Sequence, residues 1–101
     1  MTYGLFGGFS AAPGKRDELA GYLLRAAELM QQDQQCLLYL VATTEEPDEV
    51  AVYEVWTDEA AHDASLNNAG VPELITEARE VIAGVTGHTS LQVRGGKGLP
   101  T

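Results

Sequence analysis

Two apolar segments joined by a short polar turn constrain the fold of this chain more than any other feature. Residues 36–42 (CLLYLVA) and 50–56 (VAVYEVW) are apolar almost throughout, without the strict alternation of a half-exposed strand, which is typical of strands covered on both faces. The acidic segment 45–48 between them contains Pro47 and is typical of a turn. The sequence therefore predicts a hairpin of two buried strands.

The segments around the hairpin predict two further strands and two helices. Residues 3–10 predict a strand interrupted by glycines, and residues 15–32 predict an amphipathic helix. A second helix is predicted to start at Asp58, with the Thr57 hydroxyl as its cap. It should break at residues 67–70 and continue from Pro72, with Ile82 on its apolar face and Gly84 at its end. Residues 88–94 predict a last strand.

The order strand, helix, strand, strand, helix, strand predicts an α+β fold with a ferredoxin-like βαββαβ antiparallel sheet and both helices on one face. Residues 1–94 should form a single domain, followed by a glycine-rich tail at residues 95–101. The helices leave the other face of the sheet bare, although the second and third strands are apolar on both faces. We therefore expect a second copy of the chain to cover that face in a homodimer.

Composition narrows the classes of partner. The formal net charge of the 101-residue chain is -9, which argues against nucleic acid or an anionic membrane as a partner, since both require clustered cations. Cys36 is the only cysteine, so no intrachain disulfide is expected, and no apolar run is long enough to cross a membrane. A soluble cytoplasmic protein with neither a signal peptide nor a membrane anchor is expected.

Glu54 is the leading candidate for a catalytic residue, because it lies within an apolar strand, where an ionised carboxylate is costly unless it is paired. Burial would raise its pKa and make it a base for a phenolic proton. The alternative is a structural carboxylate paired with Arg25, Arg79 or a backbone donor. Trp56 lies two residues further along, on the same face, where it either stacks on a flat substrate or fills the core at the dimer interface.

Four other residues are candidates for the same site. His62, one turn into the second helix, is a candidate proton shuttle, with an exposed surface histidine as the alternative. Tyr39 and Tyr53 are candidates to bind a quinone oxygen through their hydroxyls, unless they only pack. Asn67 is a candidate polar contact at the pocket mouth, although asparagines are common at helix ends for conformational reasons. His88 is assigned by default to a turn or strand edge, and it would be a second pocket histidine only if the fold brings it there.

Other chemistries lack the residues they need. The only glycine-rich segment near a lysine lies at the C-terminal end, with no helix after it, so a phosphate loop is not expected. Two histidines and one cysteine at wide spacing make a metal site improbable, and no serine lies in a nucleophile-elbow motif. Any catalysis should rest on acid–base chemistry and positioning, with no metal or organic cofactor.

Four pieces of the chain together resemble the antibiotic biosynthesis monooxygenase family: Gly14 after Pro13, and residues 36–39, 52–56 and 58–62. The resemblance implies a small dimeric α+β barrel with a pocket between sheet and helices. The family includes cofactor-independent oxygenases of quinols and polyketide anthrones, haem-degrading enzymes and an isomerase-like member. Its members often carry a histidine or tryptophan at the position of Ser65, one turn after His62. The residues of the haem-degrading branch would fall near Gly7, Ser65 and Ile75, and none of them is matched.

The resemblance and the buried carboxylate together predict a cofactor-independent monooxygenase. A small quinol or a phenolic, polyketide-like aromatic substrate would be deprotonated by Glu54 or His62 and would react with O2 as its own reductant. Two alternatives remain open from the sequence. One is a non-catalytic, small-ligand-binding or stress-associated dimer of the same fold, and the other is a non-oxidative isomerase that uses the same pocket.

Overall fold

The computed structural model describes residues 2–99, which form one antiparallel sheet with helices packed on one of its faces. The strands lie in the order β2-β3-β1-β4. This confirms the predicted ferredoxin-like α+β fold. The elements, in chain order, are β1 (Tyr3–Ala11), α1 (Arg16–Met30), β2 (Cys36–Thr43), β3 (Glu49–Trp56), α2 (Glu59–Ser65), α3 (Val71–Ala78), a 3₁₀ turn (Arg79–Val81) and β4 (Ile82–Gln92).

The predicted hairpin forms from β2 and β3, with Val41 opposite Val52 and Tyr39 opposite Glu54. Because side chains alternate along a strand, Val52, Glu54 and Trp56 share the face that meets the helices, and all three are buried. The other face of the sheet is open in the single chain. There, Leu40 of β2 is 55% exposed.

The cap of α2 differs from the prediction. The Asp58 carboxylate accepts a 2.7 Å hydrogen bond from the backbone N–H of Ala61, which makes Asp58 the N-cap. The Thr57 hydroxyl instead bonds the side chain of Gln35, at 3.1 Å. Thr57 continues directly from β3, so its side chain lies too early in the turn to reach the first free N–H groups of the helix.

The predicted break in the second helix is confirmed, but its predicted end at Gly84 is wrong. The chain leaves α2 at Ser65, and Gly70, at φ 88°, precedes α3. The helix then ends at Ala78, and β4 begins at Ile82 rather than at His88. Ile82 fits the helical period with Ala78, yet it pairs with Ala11 of β1. This long-range pairing is stronger than the local helical pattern.

The C-terminal segment 93–99 contains no helix or strand, and the last two residues of the predicted tail lie outside the described residues. Between residues 2 and 99, no helix has both the length and the apolar composition needed to cross a bilayer. The fold thus provides a sheet with one face under helices and one open face, and the candidate site lies on the helix side.

Candidate functional site

A cavity of about 300 Å³ lies between the sheet and the helices. Most of its lining is apolar and comes from β1, β3 and all three helices. A few polar side chains interrupt this lining, as is usual for sites that bind small organic molecules. They are Tyr22, Tyr39, Glu54, His62, Ser65 and His88.

Glu54 is the buried acid of this cavity, and its side chain has no arginine or lysine partner among residues 2–99. The residue is 7% exposed. Its Oε1 accepts a hydrogen bond of 3.1 Å from the indole Nε1 of Trp56. Arg25, one of the expected partners, lies 3.7 Å from Glu77 instead. The Glu54 charge is therefore offset only by an indole N–H and by nearby histidines.

This environment raises the pKa of Glu54. Burial is the largest cause, because it disfavours the charged carboxylate. The hydrogen bond from Trp56 and the positive potential of His62 and His88 act in the opposite direction but do not cancel the effect of burial. A carboxylate with a raised pKa holds a proton more strongly, so Glu54 is a better base than an exposed glutamate.

His62 lies beside this carboxylate on the first turns of α2. Its Nε2 is 3.8 Å from Glu54 Oε1, which is too long for a hydrogen bond. Its Nδ1 is 3.2 Å from Asp63 Oδ1, and the ring packs edge-on against Trp56 with centroids 5.7 Å apart. When Nδ1 donates to Asp63, a neutral ring presents Nε2 to the cavity as an acceptor.

Two hydroxyl residues of the lining, Ser65 and Tyr39, neighbour His62 and Glu54. Ser65 is buried, and its Oγ donates a 2.5 Å hydrogen bond to the backbone carbonyl of His62. It thereby ties down the turn of α2 that carries the imidazole. Burial and the neighbouring Glu54 charge raise the pKa of Tyr39, so this phenol stays protonated and can act as a hydrogen-bond donor.

The structure does not bring three of the predicted residues to the cavity lining. Trp56 is fully buried behind Glu54 and His62. Tyr53 lies on the opposite face of the sheet because it alternates with Glu54, and its ring packs against Phe6 at 6.2 Å. Asn67 lies in the turn after α2, outside the set of lining residues.

His88, which the sequence assigned by default to a turn or strand edge, is a second histidine of the cavity. His88 lies on β4, opposite Gly7 of β1, and its side chain lines the cavity. Strand alternation puts His88 on the same face as Ser90 and on the opposite face from Thr89 and Leu91. Without the register against β1, that alternation did not tell which face of the strand meets the helices.

No group of three or more histidine, cysteine, aspartate or glutamate side chains within the described chain is arranged to hold a metal ion. Glu54, His62 and His88 form an acid–base set at the cavity. Such a set can accept, hold and pass on a proton.

Comparison with known proteins points to one family. The family model described as antibiotic biosynthesis monooxygenase matches residues 3–77. A solved structure from Chloroflexus aurantiacus that bears the same family name is 35% identical, with a TM-score of 0.90 over 99% of this chain and 100% of that one. No curated protein matches the chain.

More distant structures share the fold. One from Deinococcus radiodurans, which also bears the family name, is 22% identical, with a TM-score of 0.77 and full coverage of both chains. A mutant of SnoaB from Streptomyces nogalater, described as a cofactor-independent oxygenase, is 16% identical, with a TM-score of 0.77 over 95% of this chain and 96% of that one. At these identities the likeness establishes the fold alone.

Proposed function

Since the chain belongs to the antibiotic biosynthesis monooxygenase family, we propose that it is a cofactor-independent monooxygenase that oxidises a small quinol or related phenolic aromatic molecule with O2. The observation that carries the proposal is the pairing of Glu54 with His62 in an apolar cavity. In the described chain, this buried carboxylate lacks the arginine or lysine partner expected of a purely structural one. The description of SnoaB as a cofactor-independent oxygenase supports the same reaction class.

The first step is removal of a phenolic proton by Glu54. A phenol is a poor electron donor, whereas the phenolate formed on deprotonation is electron-rich and reacts with O2 more readily. The apolar lining favours a neutral substrate on entry and excludes water from the reacting atoms. Tyr39, which stays protonated, is placed on the strand next to Glu54 to donate a hydrogen bond to a substrate oxygen.

The electrons for oxygen reduction come from the substrate itself. The quinol loses two protons and two electrons, and one oxygen atom is inserted into a ring C–H bond to form a hydroxyl group. The second oxygen atom leaves as water. A quinol and O2 are thus converted into a hydroxylated quinone and water, so the balance requires no external reductant.

The proton taken up by Glu54 has a route to solvent through His62. Nε2 of His62 faces Glu54 at 3.8 Å, a gap that a small rearrangement or a bound water molecule would close. Nδ1 contacts the Asp63 carboxylate at 3.2 Å, and the Asp63 side chain is 69% exposed. The imidazole therefore lies between the cavity and a solvent-facing carboxylate, as a proton shuttle requires.

We further propose that the protein works as a homodimer in the cytoplasm. Phe6 and Leu40 are half-exposed on the open face of the sheet, where Tyr53 packs edge-on against Phe6. A second copy placed on this face would remove these apolar groups from water. The free thiol of Cys36 suits a reducing compartment.

Oxygen uptake by the purified, chelator-treated protein tests the proposal. Quinols and anthrones of one to three rings should each be compared with their own spontaneous oxidation rate, because electron-rich phenols react slowly with O2 unaided. We expect acceleration by the wild type and loss of that acceleration in the double variant Glu54→Gln, His62→Ala. Equal rates with and without the wild type across the panel would refute the proposal.

The same samples separate the two alternatives. A binding protein without turnover would gain thermal stability from a ligand and release no product. A non-oxidative isomerase would exchange substrate hydrogen for solvent deuterium without consuming oxygen.

A further inference from the structure

Gly7 lies at the centre of the sheet surface that forms one wall of the cavity. Its neighbours on β1, two residues away on the same face, are Leu5 and Phe9. Its cross-strand partners are Val52 on β3 and His88 on β4. All four of these side chains line the cavity. Gly7 itself is buried between them and is not a lining residue, but a side chain added there would point from the sheet toward the cavity.

Packing explains the other two glycines of β1 but not Gly7. A Cβ atom added at Gly4 would lie 2.9 Å from Val93 Cγ2, and one added at Gly8 would collide with the Thr86 hydroxyl. A Cβ atom added at Gly7 would meet only Gly87 O at 3.4 Å and Val52 Cγ2 at 3.7 Å. An alanine would therefore fit at Gly7 with little adjustment.

Backbone conformation does not require glycine at this position either. Gly7 is absent from the glycines with positive φ, so an ordinary residue can adopt its conformation. A glycine inside a strand weakens the strand, and one reason to keep it is the close approach of a ligand. Since neither packing nor backbone conformation requires glycine at position 7, the nearby cavity is the remaining reason for it.

Polar groups stand on both sides of this glycine. Glu54 lies on β3 and His88 on β4, the two strands that flank β1. Both side chains reach the cavity, and the positive potential of His88 is felt at the Glu54 carboxyl. A flat ring lying over Gly7 would have an acid group at one edge and an imidazole at the other.

We infer that Gly7 determines substrate size in this cavity, because a side chain added there would project toward the space that a flat, fused two-ring aromatic diol would occupy, with one hydroxyl toward Glu54 and the other toward His88. This inference rests on the proposed function for the class of substrate. Beyond that function, it identifies Gly7 as the residue that limits substrate size, and it gives the orientation of the ring between Glu54 and His88. The cavity volume of about 300 Å³ lies at the lower end of the range for small-molecule sites, which leaves little room to spare.

The test measures binding without turnover. Anaerobic calorimetry with 1,4-dihydroxynaphthalene and with benzene-1,4-diol compares the wild type with Gly7→Ala, Gly7→Val and Gly7→Leu. We expect affinity for the two-ring diol to fall with side-chain size, by roughly tenfold or more for valine and leucine, because the added atoms overlap the ring. Affinity for the one-ring diol should fall less.

Gly87→Val is the matched control, because Gly87 is also a strand glycine, lies opposite Gly8, and has no atom within 4 Å of an added Cβ. It should bind both diols like the wild type. Gly87 lies on the open face of the sheet, so sedimentation checks that each variant keeps the oligomeric state of the wild type. Thermal unfolding checks the fold, and Gly7→Ala serves if the larger variants unfold.

Two outcomes would overturn the inference. One is a Gly7→Leu variant that binds the two-ring diol within about twofold of the wild type, and the other is an equal loss of affinity in the folded Gly87→Val control. The result is independent of catalysis. A wild type that binds this diol with the predicted dependence on Gly7 but consumes no oxygen would support the size selection and refute the monooxygenase. Normal oxygen uptake by Gly7→Leu with the two-ring diol would support the monooxygenase and refute the size selection.

Discussion

Glu54→Gln is the substitution that isolates the proposed base. Glutamine has nearly the shape of glutamate, and its Oε1 can still accept the hydrogen bond from the Trp56 indole that Glu54 accepts at 3.1 Å. The variant therefore keeps the packing and the buried hydrogen bond. It removes only the ability to take a proton.

The expected loss follows from the role of a general base. Such a group contributes about 10²–10⁴-fold to rate, so kcat/KM should fall by about the same factor. This fall corresponds to a loss of about 3–5 kcal/mol of transition-state stabilisation. Binding of the neutral substrate should change much less, because the amide can still form hydrogen bonds. The effect should therefore appear in kcat more than in KM.

The pH dependence of stability gives a second readout of the same residue. Burial raises the pKa of Glu54 in the folded protein above its ordinary value of 4.5. Between that value and the folded-state pKa, the native state binds more protons than the unfolded state, so this residue makes the free energy of unfolding fall as pH rises. Glu54→Gln removes this contribution and should unfold at an equal or higher temperature than the wild type near neutral pH.

Oxygen uptake measured across pH tests both expectations. In the wild type, kcat/KM should rise with pH on an acid limb whose apparent pKa lies above 4.5 and belongs to the Glu54–His62 pair. In Glu54→Gln that limb should be lost with most of the rate. Glu49→Gln is the control, since Glu49 is half-buried at the start of the same strand, outside the cavity lining, and its Oε1 accepts a hydrogen bond from Thr44. A folded Glu54→Gln variant with wild-type kcat/KM would refute the reasoning.

Three further predictions follow from single contacts. Trp56→Phe removes the hydrogen bond that lowers the pKa of Glu54, so the acid limb of kcat/KM should move to higher pH; an unchanged limb would contradict this. Asp58→Ala removes the N-cap of the helix that carries His62. It should lower the free energy of unfolding by about 0.5–2 kcal/mol in denaturant unfolding, and unaltered stability would contradict this. Leu40→Glu places a charge on the open face and should convert a dimer into a monomer in sedimentation; a Leu40→Glu variant that stays dimeric would contradict an interface on this face.

Sequence patterns predicted the framework of the fold well because its strongest signals are local. The two strands of the hairpin were placed within a residue or two of their observed bounds, since a polar turn and two apolar runs depend on no distant partner. The helix break before Gly70 was predicted from asparagine, glycine and proline, whose conformational preferences act at their own positions. The end of that helix was predicted wrongly because Ile82 continues its apolar period while pairing with β1 decides its structure.

The candidate site was only partly predictable for a related reason. Glu54 stood out as a charge within an apolar strand, and the structure places it and His62 at one cavity. The partner of Glu54 was not foreseen, because an indole N–H two residues away on the same face is a less obvious donor than an arginine. The positions of His88 and Gly7 beside the cavity depend on the register between β4 and β1. A bulge after Gly8 shifts that register. No local pattern encodes it.

We propose that this protein adds one oxygen atom from O2 to an aromatic diol, with Glu54 as the base and without a bound cofactor. Mass spectrometry after turnover in oxygen-18 gas tests this reaction, with chelator-treated protein and 1,4-dihydroxynaphthalene. We predict a hydroxylated quinone that carries one labelled oxygen atom, formed faster than in buffer alone by the wild type but not by Glu54→Gln. A product without label, or equal labelling rates for the wild type, Glu54→Gln and buffer, would contradict the account.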